Sequence, residues 1–516
     1  MSRSTRPLIL ALDLGTSGAK AALIDVNGDL LAHASSPYDT HVGHDGAITQ
    51  EPGEWLRAAR EAIVLVGADA GDAVMSRIAG LGLTGQMQDL VLLPAATPTA
   101  PEQMAALGEA ILYADARAQA EADEISRAVG SWDTTCGNIQ GATSPAAMWL
   151  RLSRTGDPRL ASTRRVVFGP AAYLAWALGL GAWCDQTTAT TTGIARRDGS
   201  GWLSEVCAAA DLPPRVLPAL AGEGVAGLGT LTAMAGELIG LPAGIPVVLA
   251  PGDAGTTTLG TVGATLESPY AYLGSSGWVG ALAPFRSTLP AATRHCLAVP
   301  YAAGAQTPGG SGTASLVIAA LASAGATAQW GRDVVLGGAS AQQADAAMDA
   351  WERDHGRVPT GLLTLPGLGG ERFPVRSEEL AGAIIGIRPT TDAATLYRGL
   401  LEGIAFGLRH ALDDIAGDDR ESLRTLPITG GGAESEPWRR LLADIIGVAI
   451  THVPGADATL IGCALATAHA LGLSHRIAPI AARVDAQVTA PDPDASAAYA
   501  NLAVRHRQLY TAVEAL

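Results

Sequence analysis

Residues 8–25 read LILALDLGTSGAKAALID. The run 8–14 is apolar except for Asp13, the pattern of a buried strand. Gly15-Thr16-Ser17-Gly18 is a tight turn, and 19–25 resumes as a second apolar strand. Asn27-Gly28 signals a hairpin, and 30–35 reads as a third strand. The chain therefore opens as an antiparallel meander. Its first turn is rich in glycine and hydroxyls, with a carboxylate at the strand end. Such a turn suits a metal–phosphate site. Backbone N–H groups approach phosphate oxygens where no Cβ intervenes, Thr16 and Ser17 add donors, and Asp13 can hold Mg²⁺ directly or through water. The alternative is an ordinary β-turn with a buried, capped aspartate. No GxxxxGK[ST] pattern is present, so a P-loop is excluded.

Working outward, 54–66 is an amphipathic helix opening after Pro52, and 78–83 is a buried strand ending in Thr84-Gly85. Residues 116–129 read as a helix, and another starts at Ala146. This alternation argues for an α/β architecture. Residues 247–250 form a further buried strand, ending in Pro251-Gly252-Asp253-Ala254-Gly255. Then 270–273, the turn Gly274-Ser275-Ser276-Gly277 and 278–282 repeat the strand–turn–strand unit of the opening. Two such units half a chain apart suggest two related domains facing each other. Later come a helix at 396–415, a strand at 426–429 ending in Gly430-Gly431-Gly432, and helices at 437–446 and 460–471.

The bulk numbers agree. With 516 residues the chain exceeds what one core organises, and the boundary is expected at about residue 250, giving domains 1–250 and 251–516. It is 48% hydrophobic and 16% charged, which excludes a disordered protein. A net charge of −16 disfavours nucleic acid and anionic membrane as partners. The five cysteines form no CxxC pair and read as buried thiols of a reducing compartment. The basic start Met1–Pro7 is followed by too short an apolar run for a secretory signal, and the apolar stretch near 171–183 is too short to span a bilayer, so a cytoplasmic protein is expected. Lys20 is the only lysine, which with the richness in Ala and Gly reads as compositional bias.

Three further motifs can carry chemistry. Gln86, Met87 and Gln88 follow a strand end, where amides can bond sugar hydroxyls and Met can pack on carbons; the alternative is a polar loop. Asp253 lies between glycines after a buried strand. There it is either a helix N-cap or the carboxylate that accepts a hydroxyl proton in phosphoryl transfer. Ser275 and Ser276 can meet phosphates from the far side, and Gly431, Gly432 and Ala433 leave room for a flat base; the alternative for both is a tight turn. HExxH, GxSxG and Cys/His clusters are missing, which excludes zinc enzymes and α/β-hydrolases.

With these residues in hand, the sequence resembles the FGGY carbohydrate kinases from about Leu8 to Leu473, and looks most similar to the xylulokinases among them. Asp13 to Lys20 looks like the family's first phosphate loop and Gly85-Gln86-Met87 like its sugar loop. Tyr113-Ala114-Asp115-Ala116-Arg117 is similar to its Trp-x-Asp-x-Arg stretch. Gly252-Asp253 falls at its catalytic aspartate. The stretch Leu400 to Phe406, and Gly430 to Ala433 with Trp438-Arg439, look like its C-terminal signature and adenosine ledge. The resemblance implies two actin-like ATPase (ribonuclease H-like) domains closing on a central cleft. It implies ATP and Mg²⁺ held by Asp13, Gly15, Thr16, Ser17, Lys20, Ser275, Ser276, Gly431, Gly432 and Ala433, with Asp253 also near the metal. It implies a sugar held by Gln86, Met87, Gln88, Asp115 and Arg117, and Asp253 as general base. The expected reaction is D-xylulose to D-xylulose 5-phosphate. The alternatives are another ketose or a polyol, and a sugar-sensing protein without turnover. A homodimer is consistent with the resemblance, though no interface is readable. This chain departs from xylulokinases in carrying Gln88 where they have His and Asp89 where they often have Gly, and in lacking their lysine near Ala147. Asp89, if it faces the cleft, favours a neutral hydroxyl-rich substrate.

Overall fold

The computed structural model describes residues 6–100, 103–221, 227–284, 293–300, 313–377, 379–455, 457–483 and 486–514. Residues 1–5 of the basic start lie outside this set.

The opening meander forms as read: β1 (Leu8–Leu14), β2 (Gly18–Asp25) and β3 (Leu30–Pro37) pair antiparallel. Helix α1 (Pro52–Ala70) begins with Glu51 accepting from the Gly53 N–H and Pro52 in its first turn. Trp55, Ala58, Ala59, Ala62, Ile63 and Val66 form its buried stripe. Strand β4 (Ile78–Gly85) runs parallel to β1, and β6 (Pro246–Leu249) parallel to β4, with β5 (Gly229–Thr230) antiparallel at the edge. The first sheet is thus ordered β5-β6-β4-β1-β2-β3.

The second half repeats this plan. Strands β7 (Tyr270–Leu273), β8 (Gly277–Ala283) and β10 (Ala314–Leu321) form the second meander, with β9 (His295–Val299) added outside β10. Strand β11 (Thr425–Thr429) runs parallel to β7, β12 (Ala449–His452) parallel to β11, and β13 (Gln487–Thr489) closes the edge antiparallel. The order β9-β10-β8-β7-β11-β12-β13 matches the first sheet strand for strand, apart from the added β9.

Helices α3 (Ala393–Ala416) and α4 (Glu436–Ile446) pack on the outer side of the second sheet, as α1 does on the first. Between the sheets lie α2 (Asp253–Val262) and α5 (Ala458–Ala470). Residues Ile9, Ala11, Ala22 and Ile24 of the first sheet, Tyr270, Trp278 and Leu282 of the second, and Leu259, Ile461 and Cys463 of these helices share one core. α5 comes from the end of the chain yet rests on the first sheet: a Cβ on Gly82 would fall 2.8 Å from Cys463 Sγ. The two helices cross at glycine: a Cβ on Gly462 would lie 1.8 Å from the Thr256 carbonyl oxygen, and one on Gly260 1.8 Å from that of Ala458. Near their starts the Thr257 and Thr459 hydroxyls lie 2.9 Å apart, and Asp253 and Thr459 line the same cavity.

The apolar segment near 171–183 becomes the short buried helix Pro170–Ala177. Among the described residues no helix is long and apolar enough to cross a membrane. The cysteines are all buried and unpaired.

Candidate functional site

The first turn is built by its neighbours. Gly15 N–H donates to the Gly18 carbonyl at 3.1 Å, closing the loop. A Cβ on Gly18 would lie 2.6 Å from the Ser36 carbonyl oxygen, so β3 requires glycine there. From beneath, Gln50 donates to the Thr16 carbonyl at 2.7 Å, and Gln86 donates to Gln50 Oε1 at 2.9 Å. The Tyr38 hydroxyl donates to the Gly15 carbonyl. Thr16 and Ser17 are left exposed at the tip, with the Tyr113 hydroxyl 3.2 Å from Thr16 Oγ1.

Asp13 sits near the end of β1, opposite Lys20 on β2 and Thr84 on β4. It is buried, and its Oδ1 has no hydrogen-bond partner. Burial first, then the nearby Asp457 and Asp253, push its carboxyl up to about 8, against the pull of Lys20. A buried carboxylate oxygen without a donor can take a divalent cation, and Asp13 would be its main protein ligand, since among the described residues no group of three or more His, Cys, Asp or Glu is placed to hold one.

Asp253 is the first residue of α2 rather than its N-cap, which is Gly252. Its Oδ1 accepts from the Ala254 N–H at 2.7 Å. Behind it, Asp185 accepts from the Gly252 N–H at 3.0 Å and from the Thr188 N–H at 2.9 Å, fixing the start of the helix. Burial, with a contribution from Asp185, pushes the Asp253 carboxyl up to about 7. The approach of Met87 is close: a Cβ on Gly252 would lie 2.3 Å from Met87 Sδ.

Gln88 adopts φ 76°, a left-handed conformation uncommon for residues with a Cβ, and its amide donates to the Thr143 carbonyl at 3.1 Å. Asp89 does not face the cleft. It is fully buried, accepts from the Tyr113 N–H at 3.0 Å, and burial holds its carboxyl well above the usual range. A charge directed at substrate is therefore not available from Asp89.

The second turn mirrors the first. Gly274 N–H donates to the Ser276 carbonyl at 3.0 Å, and the Ser275 carbonyl accepts from the N–H groups of Ala324 and Ala326, both at 3.0 Å. Tyr272 stacks on Trp278 beside it. A cavity of about 400 Å³ joins the turns: it is lined by Asp13, Gly15, Thr16, Ser17 and Lys20, by Gln86, Met87, Gln88 and Tyr113, by Asp253, and by Tyr272, Ser275 and Ser276. Tyr272 and Ser275 also line a second cavity of about 770 Å³, with Gly431, Gly432, Ser435 and Trp438 on its other side. No atom lies within 4 Å of a Cβ on Gly431, so that wall is open. Ala433 is buried behind it, its carbonyl accepting from Arg439. The two cavities adjoin at Tyr272 and Ser275, the larger under the glycine ledge and the one at the first turn lined by Asp13 and Asp253.

Asp115 and Arg117 are placed elsewhere. They pair with each other at 2.8 Å, Asp115 also accepts from the Ile48 N–H at 3.1 Å, and Arg117 reaches Asp45 at 2.6 Å. They line a separate cavity of about 390 Å³ with Glu109, Arg151 and Arg159, not the cleft with Gln86. Tyr113, from the same stretch, is the residue that reaches the cleft. Tyr38, Gln50, Asp185 and Asp457 were not singled out from sequence. Each lies far along the chain from the group it orients, so only the fold brings the pair together.

The model of the N-terminal domain of the FGGY family of carbohydrate kinases matches residues 8–260, and that of its C-terminal domain matches 270–471. The xylulose kinase of Escherichia coli (strain K12) is 27% identical over 490 residues, covering 92% of this chain and 90% of the relative. A glycerol kinase of Alkalilimnicola ehrlichii is 25% identical over 479 residues, covering 90% of each. Among solved structures, a xyloylose kinase from Brucella ovis superposes with a TM-score of 0.83 at 27% identity, covering 98% of this chain and 99% of that one.

Proposed function

This chain belongs to the FGGY family of carbohydrate kinases, enzymes that phosphorylate a sugar with ATP, and from that premise we propose that it converts D-xylulose to D-xylulose 5-phosphate with Asp253 as general base. The observation that carries this reading is the position of Asp253. It lines one cavity with Gln86–Met87–Gln88 and both glycine turns, and at Tyr272 and Ser275 that cavity adjoins the one under the open ledge at Gly431.

The residues divide the work as follows. Adenine and ribose lie along Gly431 and Gly432, with Trp438 behind. The phosphates pass between Ser275 and the Thr16–Ser17 tip, towards Lys20. The sugar lies at Gln86, Met87 and Gln88, its reacting hydroxyl against Asp253. That hydroxyl oxygen forms the new bond to the γ-phosphorus, the bond to the β–γ bridging oxygen breaks, and ADP leaves. The hydroxyl proton goes to the Asp253 carboxylate. A group poised near neutrality is suited to take that proton and pass it on. Asp13 and Asp253 are the residues that would hold Mg²⁺, which when bound would supply charge neutralisation on the phosphates. Closure of the two halves excludes water as a competing acceptor.

A second reading, another ketose or a polyol such as glycerol or erythritol, is favoured by Gln88. Its amide donors are partly spent on Thr143, and it cannot reproduce an imidazole. The experiment is sugar-dependent ADP release with Mg-ATP against D- and L-xylulose, D- and L-ribulose, glycerol, erythritol and pentitols. D-xylulose is expected to give the highest kcat/KM. A clear preference for another acceptor replaces the substrate while leaving the role of Asp253 in place. ADP release indifferent to every acceptor contradicts both readings.

A further inference from the structure

Lys20 is the one lysine among 34 basic residues. It stands on β2 opposite Asp13, and its Nζ donates to Asp457 Oδ2 at 2.9 Å. The pair joins the two ends of the chain across the cleft wall. Asp457 is also the N-cap of α5, its Oδ1 accepting from the Leu460 N–H at 3.1 Å. Both side chains touch solvent, Lys20 at 54% and Asp457 at 29% exposure. Lys20 lines the catalytic cleft on one side. On the other it lines a cavity of about 680 Å³ formed by β2, β3 and the segment before α5, so the ammonium has room to move. That segment is tied to the ledge, since Gly455 N–H donates to Glu434 Oε1 at 3.1 Å and Glu434 lines the cavity of Gly431.

Other contacts between the halves include hydrogen bonds to main-chain groups and, among side chains, Thr84 with Thr256 at 3.1 Å and Arg376 with Asp133 at 3.7 Å. Thr187 donates to the Ala298 carbonyl at 2.7 Å, Thr190 accepts from the Ala298 N–H at 3.1 Å, and Arg376 donates to the Gln140 carbonyl at 3.0 Å. The Lys20–Asp457 contact is side chain to side chain, solvated and one-point; it is shorter than the Arg376–Asp133 pair at 3.7 Å and is made by an ammonium beside the first turn. An ammonium on a flexible stem with rotatable donors exchanges one oxyanion for another readily, where a bidentate guanidinium does not. An exposed pair of this sort gives up little when broken.

We propose that Asp457 is a positioning residue for phosphoryl transfer: it holds the Lys20 ammonium beside the first phosphate turn while the nucleotide site is empty, and yields it to the terminal phosphates of bound ATP. The proposal rests on the assignment of Lys20 to phosphate binding. ATP then exchanges an ion pair between the halves for one to itself, and adenosine, lacking phosphates, does not.

Asp457→Asn is the discriminating variant, because asparagine caps a helix as well as aspartate while removing the ion pair; Asp457→Ser serves if that variant fails to fold. Binding of AMP-PNP with Mg²⁺, and of adenosine, is measured by calorimetry on the full chain for wild type, Asp457→Asn, Lys20→Met and the double variant. Asp457→Asn is expected to tighten AMP-PNP about threefold to fivefold with adenosine unchanged. Lys20→Met is expected to weaken AMP-PNP about tenfold, and adding Asp457→Asn to it is expected to change nothing further. If Asp457→Asn leaves AMP-PNP affinity unchanged, or tightens it equally in the Lys20→Met background, Asp457 acts without Lys20 and the proposal is overturned while Lys20 keeps its role. If Lys20→Met leaves AMP-PNP affinity unchanged, the phosphate assignment of Lys20 fails, and the proposal with it.

Discussion

The turn between β1 and β2 and the turn between β7 and β8 occupy the same place in two sheets of the same strand order, yet their surroundings differ. The first carries Asp13 and Lys20 on adjoining strands and has Asp253 and Asp457 nearby. The second carries aromatic residues, Tyr272 and Trp278, at the corresponding strand positions, with no carboxylate on the paired strands. Both turns offer backbone N–H groups and hydroxyls. Only the first gathers acids at a buried place, and only the second opens onto a wide slot under a glycine ledge. On the proposed reading, one backbone plan serves two ends of a nucleotide: charge chemistry at one turn, shape at the other.

That contrast is most easily broken at Asp253. Asp253→Ala is expected to lower kcat about 10²–10⁴-fold with ADP binding retained, read by ADP release and calorimetry; a folded variant with near-normal turnover removes the base from the first turn's side. Next in size are two glycines. Gly462→Ala drives a Cβ into the Thr256 carbonyl at the crossing of α2 and α5, and a loss of about 1–3 kcal/mol in unfolding free energy is expected. Gly431→Ala meets open space and should stay within about 0.5 kcal/mol, so its effect, if any, appears in nucleotide affinity. Equal destabilisation by both would mean that the crossing is not as tight as the backbone places it. Ser275→Ala is expected to raise KM for ATP about fivefold without changing KM for sugar, as one neutral hydrogen bond is lost.

The smallest effect is on acid stability. In the second half, His506 donates to the Thr364 carbonyl at 2.8 Å and so accepts from His410 at 3.2 Å. Burial pushes His410 down to about 3 and His506 down to about 4. The ordinary value is about 6.5, so the neutral pair stabilises the fold fully above that pH and loses its contribution as pH falls towards the folded values. The destabilisation caused by His506→Gln in thermal melts should therefore be largest above pH 6.5 and shrink below it. Asp13 and Asp253, pushed upward, act in the opposite sense: they favour the folded state at low pH and lose that contribution as pH rises through about 7 to 8.

Much of this was legible in sequence where chemistry is local. The strand 8–14, the turns and the glycine ledge announce themselves because glycine, hydroxyl and apolar runs encode backbone shape directly, and the structure sets Leu8–Leu14 where the apolar run placed it. Helix ends drifted by a few residues: the helix expected at 54–66 extends over Pro52–Ala70, since an exposed polar turn adds no apolar signal. The site was legible as a set of motifs but not as a set of contacts. Asp115 and Arg117 look like substrate ligands in sequence, yet in the fold they bond each other. Asp89 looks like an added charge, yet it is sealed under Tyr113. Asp457 gives no signal in sequence, because its partner lies 437 residues away.

The division of labour between the turns is tested most directly on Asp13→Asn, by measuring turnover with Mg-ATP and, separately, ADP binding without added metal. Removing a buried carboxylate from the phosphate end while leaving the ledge intact should cost turnover about a hundredfold, with ADP bound at least as tightly as by the wild type. Turnover that survives, or ADP affinity that falls in step with it, would contradict the account.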